Sequence, residues 1–247
     1  MTLTDFFYEN PKAALGFSGG VDSAYLLYAG LQCGADLQPY FVKTAFQPQF
    51  EVDDAVKLCK QLNVTLNIID VDILSLHSVA KNPQDRCYYC KHTLFQALQR
   101  RAHADGYFML IDGTNASDDA TDRPGMRALK ELAVRSPLRE CGLTKKEIRH
   151  LSQQAGLFTW DKPAYACLAT RIPTGTPLTQ ECLTRVEMGE SALFQLGFRD
   201  FRIRVFHDAA RIQLPQAQMQ RAACHSQAIR HALAPYFQTV FLDLAGR

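Results

Sequence analysis

The stretch Ser18-Gly19-Gly20-Val21-Asp22-Ser23 constrains this chain most, because it joins an apolar run at 13–17 to a helix-periodic run at 23–31. A strand that turns through glycines into a helix forms an anion cradle. Gly19 and Gly20 can take backbone angles closed to other residues, and they leave no side chain between the main-chain N–H groups and an approaching ligand. The first-turn N–H groups and the positive end of the helix dipole point at the same place. That dipole supplies only about 0.3–1 kcal/mol, so holding a triphosphate takes several N–H bonds, hydroxyls and a metal together. Ser18 and Ser23 carry hydroxyls, and Asp22 carries a hard oxygen suited to Mg2+.

The loop lacks the lysine of a Walker A motif, which argues against γ-phosphoryl transfer. Ser18, Gly19, Gly20, Asp22 and Ser23 instead match the signature SGGxDS. In this the chain resembles the PP-loop ATP pyrophosphatases, whose signature follows the first strand and whose chemistry breaks ATP between the α and β phosphates. An ordinary glycine turn before a helix is the competing reading. The signature alone implies only that something is adenylated.

With 247 residues, 47% of them hydrophobic, the chain can bury a sizeable core as one large domain or two small ones. The net charge of +2, from 27 basic against 25 acidic residues, shows no general bias toward nucleic acid, and no nucleic-acid partner is expected. The start, MTLTDFFYEN, has neither a basic n-region nor an apolar h-region, and no apolar run approaches membrane-spanning length. A cytoplasmic protein without a membrane partner is expected, and its eight cysteines read as reduced thiols rather than a disulfide framework.

Strands are expected at 39–44, 65–71 and 107–111 and helices at 50–62, from about 86 to 103, and at 126–134, with a loop at 117–125. Thr144 and Glu147 form a capping box for a helix ending near Gly156. Alternation of strand and helix implies a doubly wound parallel sheet with ligands at the carboxyl ends of its strands. Asp112 and Asn115 follow one such strand and are candidates for nucleotide or metal contact. The expected division is an ATP-binding domain at 1–160, a connector carrying Cys167 at 161–179, and a small α+β domain at 180–247. That last domain starts with a helix, then a strand pair at 201–206 and 211–214, one helix at 216–233, and a strand at 239–244.

Cys87-Tyr88-Tyr89-Cys90, Asp112-Gly113-Thr114-Asn115, and the run from Pro137-Leu138 through Gly142-Leu143-Thr144-Lys145 and Lys162-Pro163 to Cys167-Leu168-Ala169-Thr170-Arg171 sharpen the resemblance. The chain resembles the LarE family of ATP-dependent sulfur transferases over most of its length. The resemblance implies conversion of carboxylates of a pyridinium dicarboxylate mononucleotide to thiocarboxylates, toward the nickel-pincer nucleotide cofactor. It implies ATP and Mg2+ at the glycine loop, and Cys167 as the sulfur-bearing centre. It also implies a substrate-phosphate site around Glu190, Arg202 and Arg204, with Arg171 and Lys162 as further phosphate contacts, and a homo-oligomer.

One version of the family has only the cysteine matching Cys167 and gives up its own sulfur, ending as dehydroalanine. Another has three, matching Cys87, Cys90 and Cys167, and holds a 4Fe-4S cluster fed by sulfide or another sulfur donor. This chain has all three, although a CxxC pair alone also fits zinc or a redox dithiol. Cys33, Cys59, Cys141, Cys182 and Cys224 read as structural thiols. Strand alternation sets Arg202 and Arg204 on the face opposite Phe201, Ile203 and Val205, which suits either a phosphate or a solvated basic face. A tRNA thiolase, an amidating synthetase or a non-catalytic nucleotide-binding module are the competing functions.

Overall fold

The computed structural model describes residues 1–118 and 124–247. The chain divides into two compact units, one of Met1–Ile73 and Asp85–Lys162, the other of Leu74–Gln84 and Pro163–Arg247.

In the first unit α1 (Leu3–Glu9) starts at Thr2, whose hydroxyl accepts from the Asp5 N–H while the Asp5 carboxylate accepts from the Thr2 N–H. β1 (Lys12–Gly16), α2 (Val21–Gln32), β2 (Asp36–Lys43), α3 (Gln49–Gln61) and β3 (Asn67–Asp70) follow. After α4 (His77–Ala80), which belongs to the second unit, come α5 (Arg86–Ala104), β4 (Leu110–Asp112), α6 (Pro124–Glu131), α7 (Pro137–Glu140) and α8 (Lys145–Gln154). The strands form one parallel sheet in the order β3-β2-β1-β4. Ala13, Leu15, Leu37, Phe41 and Ile111 share a core with Leu27 of α2, Leu58 of α3 and Ile148 of α8. Ala14, Tyr40 and Leu110 point the other way, against Leu98 and Ala102 of α5. Period-2 alternation with both faces covered is the doubly wound α/β form, and it explains why β1 reads as an unbroken apolar run.

The chain steps outward from β1 to β3 and then crosses to the far side of β1, where Gly16 lies level with Asp112 of β4. Strand order reverses between β1 and β4, and in open sheets of this kind the ligand crevice lies outside the carboxyl ends at that point. β4 is shorter than the 107–111 strand expected from sequence and lies further along. Its residue Ile111 bridges to Arg135, and the Asp112 N–H donates to the Arg135 carbonyl. Of the expected loop at 117–125, residues 119–123 lie outside the described ones. No helix among the described residues is long and apolar enough to cross a membrane.

In the second unit α9 (Gln180–Gln195) precedes β5 (Arg202–Phe206), β6 (Ala209–Gln213), α10 (Gln216–Cys224), α11 (Ser226–Leu233) and β7 (Thr239–Leu242). β5 pairs antiparallel with β6, and β6 parallel with β7. A side chain at Gly189 of α9 would meet Phe237 and Ile203, at 3.0 and 3.1 Å, so helix and sheet approach closely there. The single helix expected at 216–233 is in fact two. The chain turns at His225, whose N–H donates to the Arg221 and Ala222 carbonyls and whose Nδ1 lies 2.8 Å from the Arg221 oxygen. Segment Leu74–Gln84 is held within this unit by buried Asn82. Its amide donates to the carbonyls of Pro173 and Thr176, and its own carbonyl accepts from Gly175.

Candidate functional site

The glycine loop has the conformation that its composition demands. Gly19 sits at φ +69°, and a Cβ there would lie 3.2 Å from the backbone nitrogen of Ala55 on α3. Two separate constraints, the left-handed backbone and the close approach of α3, make any other residue strained here. Gly20 caps α2 without a side chain, so no side chain caps the helix's first turn. The Ser23 hydroxyl is buried and braces the loop, donating to the Gly20 carbonyl at 3.2 Å, accepting from the Ser18 N–H, and lying 3.1 Å from the Ser18 hydroxyl. Ser18 remains exposed, the better placed of the two hydroxyls for a ligand.

The end of β4 meets the same helix start. A Cβ on Gly113 would fall 2.9 Å from the Ser23 nitrogen and 3.2 Å from its Cα, so the backbone of this turn runs directly against α2. Asp112 is turned inward. Its carboxylate accepts from the Thr114 hydroxyl and N–H and from the Ser136 hydroxyl, which fixes the turn. Asn115 is buried, its amide 3.4 Å from Asp22 Oδ1, while its N–H donates to Asp118 Oδ2.

Asp22 is therefore brought to Asn115, and it also meets Lys145, whose ammonium lies 2.5 Å from Asp22 Oδ2. Burial holds the Asp22 carboxyl above the usual carboxylate range, against the opposing pull of Lys145. Sequence reasoning did not single out Lys145 as a site residue. The signal lay in the capping box, which forms as expected and fixes Lys145 as the first residue of α8. Lys162 pairs with Asp54 at 2.7 Å and stands over the Phe50 ring.

In the second unit the Cys167 segment is tied down by a buried ion pair. Arg171 donates Nε and Nη2 to the two carboxylate oxygens of Glu190 at 2.8 and 3.1 Å, with both side chains almost wholly out of water. Glu190 accepts further from the Tyr165 hydroxyl and the Ile203 N–H, and Arg171 donates to the Ala166 carbonyl and stacks over the Tyr165 ring. Burial alone would lower the Arg171 pKa, but Glu190 carries it upward. Cys167 itself, half-buried, stands just before the 3₁₀ turn Leu168–Arg171, with its carbonyl accepting from the Thr170 N–H and hydroxyl. Arg204 donates to the Thr170 carbonyl, so Glu190, Arg171, Cys167 and Arg204 form one continuous set. Tyr165 is the member that sequence did not mark as a site residue.

Cys87 and Cys90 fall one turn apart at the start of α5, on one side of the helix. Cys87 is exposed, and the Arg86 guanidinium is 3.9 Å from its sulfur. They belong to the first unit and Cys167 to the second. Within each unit, among the described residues, no three His, Cys, Asp or Glu side chains converge on a metal-sized site. Cys59 of α3 is buried, and that burial pushes its pKa up to about 12, whereas Cys33 and Cys224, also expected to be structural thiols, are exposed.

No family model matches the chain. It is 38% identical over 222 residues to an uncharacterized protein of Synechocystis sp., covering 89% of this chain and 82% of that one. It is 27% identical to a glutamine-hydrolyzing GMP synthase of Aeropyrum pernix, over 72% of this chain but only 38% of that protein. With the pyridinium-3,5-bisthiocarboxylic acid mononucleotide synthase of Lactiplantibacillus plantarum it shares 31% identity over 248 residues, which is 99% of this chain and 90% of the relative. Identity at this level, spanning nearly the whole length of both proteins, makes the chain a member of the LarE family.

Proposed function

We propose that the chain is an ATP-dependent sulfur transferase that activates a carboxylate of pyridinium-3,5-biscarboxylic acid mononucleotide and converts it to a thiocarboxylate. The observation that carries this reading is the end-to-end match to the mononucleotide synthase; the uncapped helix behind a left-handed Gly19, at the reversal point of a parallel sheet, supports the ATP half. A carboxylate carbon resists a thiolate until one of its oxygens becomes a leaving group. The carboxylate oxygen attacks the α-phosphorus of ATP, pyrophosphate departs, and sulfur then attacks the acyl carbon to expel AMP. Ser18 and the N–H groups of α2 are suited to hold the polyphosphate, and Asp22, steadied by the Asn115 amide, would offer oxygens to Mg2+, which would supply charge neutralisation on the phosphates. Lys145, paired with Asp22, would exchange that carboxylate for a phosphate oxygen when the nucleotide binds.

Two routes supply the sulfur. In the sacrificial route the Cys167 thiolate forms a thioester with release of AMP. Loss of the Cys167 α-proton then breaks its Cβ–Sγ bond, leaving dehydroalanine in the chain and the thiocarboxylate on the substrate. In the catalytic route Cys87, Cys90 and Cys167 would be the thiolates that hold a 4Fe-4S cluster, which would supply sulfide in place of the Cys167 sulfur. In either route Arg202 and Arg204 take the substrate phosphate while the Arg171–Glu190 pair positions the Cys167 segment.

The test is the product set. Wild-type protein with ATP and the dicarboxylate mononucleotide should form AMP and pyrophosphate, and Asp22→Ala should abolish this while remaining folded; ADP and phosphate from the wild type would sink the reading. Mass spectrometry then separates the routes. A loss of hydrogen sulfide at Cys167 marks the sacrificial one, whereas iron-loaded protein with intact Cys167 after several turnovers marks the catalytic one. An amidating synthetase is the second reading, favoured by the GMP synthase match, and it requires AMP formation to depend on ammonia rather than on sulfur.

A further inference from the structure

On the β5–β6 ribbon Arg204 stands directly opposite Arg211, and Arg202 opposite Gln213. Ile203, Val205 and Ile212 are buried on the other face, so the three arginines share one side of the ribbon. Directly opposed residues have Cβ atoms about 5 Å apart, and like charges placed so repel. Their protein partners do little to relieve this. Arg204 donates Nε to Gln213 Oε1 at 2.6 Å and Nη1 to the Thr170 carbonyl at 2.8 Å, both neutral acceptors. The Arg202 guanidinium has no hydrogen bond or ion pair among the described residues, and neighbouring Arg247 is paired with Asp200.

Arg211 alone faces a carboxylate, that of Asp243, at 3.6 Å with no hydrogen bond from its Nε. Asp243 is held in place by Gln213 Nε2 at 2.9 Å and by the Ala245 N–H at 3.1 Å. Gln213 thus orients Arg204 through its oxygen and Asp243 through its nitrogen. Burial, and then the nearby guanidinium groups, push Arg202 and Arg204 below the usual guanidinium range. A group of cations with one shared carboxylate is short of negative charge.

We propose that Arg211 completes an anion site with Arg202 and Arg204, shaped for a phosphate monoester, and that Asp243 occupies Arg211 until that anion arrives. The proposal rests on the substrate-phosphate reading of Arg202 and Arg204 and extends it to the neighbouring strand. Three guanidinium forks approaching from adjacent strands can share the oxygens of one tetrahedral dianion, which a carboxylate cannot satisfy as fully. Asp243 then acts as a weak internal competitor, paired with Arg211 at a length that a tighter ligand displaces.

Titration calorimetry on the whole protein, with inorganic phosphate and with ribose 5-phosphate as probes, tests this. Arg211→Gln should weaken both probes about tenfold, the scale of one charged hydrogen bond. Asp243→Asn should tighten both about two- to fivefold, the scale of an exposed ion pair. Arg211→Lys, which keeps the charge but not the fork, should fall between wild type and Arg211→Gln, and thermal unfolding midpoints show that each variant is folded. Unchanged affinity in Arg211→Gln, or weakening in Asp243→Asn, overturns the proposal. If Arg202→Gln and Arg204→Gln weaken binding in the same experiment, the substrate-phosphate reading survives that failure; if they too change nothing, the underlying reading falls with it.

Discussion

The Arg171–Glu190 pair shows how a residue's role can depend on partners that the sequence does not place beside it. Both groups are buried and share two hydrogen bonds, and Glu190 also accepts from Tyr165 and from the backbone of Ile203. Removing one member of such a pair leaves an uncompensated charge out of water. Glu190→Ala should therefore cost about 3–5 kcal/mol of unfolding free energy, and Glu190→Gln, which retains an acceptor, should cost less; urea denaturation measures both. Because the same pair anchors the segment before Leu168, the alanine variant should also slow sulfur transfer more than it weakens ATP binding. The loop formed by Gly19, Asp22 and Ser23 was legible as a strand-turn-helix junction because its determinants are local, written within one turn of chain. Glu190 was reached through family resemblance, and its partnership with Arg171 was not legible, since no periodicity relates positions nineteen residues apart on different elements.

At the scale of elements, alternation was the dependable signal and length was not. β1, α2, β2, α3 and α5 fell close to their expected spans because each has a face packed on one of the two cores. β4 was misplaced because Tyr107 and Phe108 are apolar without belonging to the ladder, which Met109 joins only through its carbonyl, and Phe108 is exposed. α7, a single turn, offers no period to detect, and the break at His225 has neither glycine nor proline to announce it. The element junction that matters most is β4 with α2. Gly113→Ala would drive a methyl group to 2.9 Å from the Ser23 backbone, which no side-chain rotation can relieve. The expected outcome is a loss of about 1–3 kcal/mol in stability together with a strong loss of AMP formation, since the shift is passed to the helix start proposed to hold the phosphates. Retained activity with an unshifted unfolding midpoint would mean that the two backbones are less tightly apposed than 2.9 Å implies.

For the whole molecule, the two units are not successive in sequence, because Leu74–Gln84 interrupts the first and belongs to the second. Asn82, at φ 55° and wholly buried, is its main attachment. Asn82→Ala would leave the Pro173 and Thr176 carbonyls without that donor and put alanine in a left-handed conformation, costing about 2–4 kcal/mol. Trypsin should then cleave the folded variant after Lys81 faster than it cleaves the wild type, with resistance equal to the wild type counting against this attachment. The same arrangement sets a timetable for synthesis. A ribosome adding about 5–20 residues per second delivers Pro163 roughly 4–16 s after Gln84. During that interval the parallel sheet can close around its glycine loop while Val79 and Asn82, buried in the finished protein, still wait for the chain that will cover them. A nascent protein of this design keeps that segment uncovered until Pro163 and the chain beyond it emerge, so the packing of Val79 and Asn82 is expected to come late in folding.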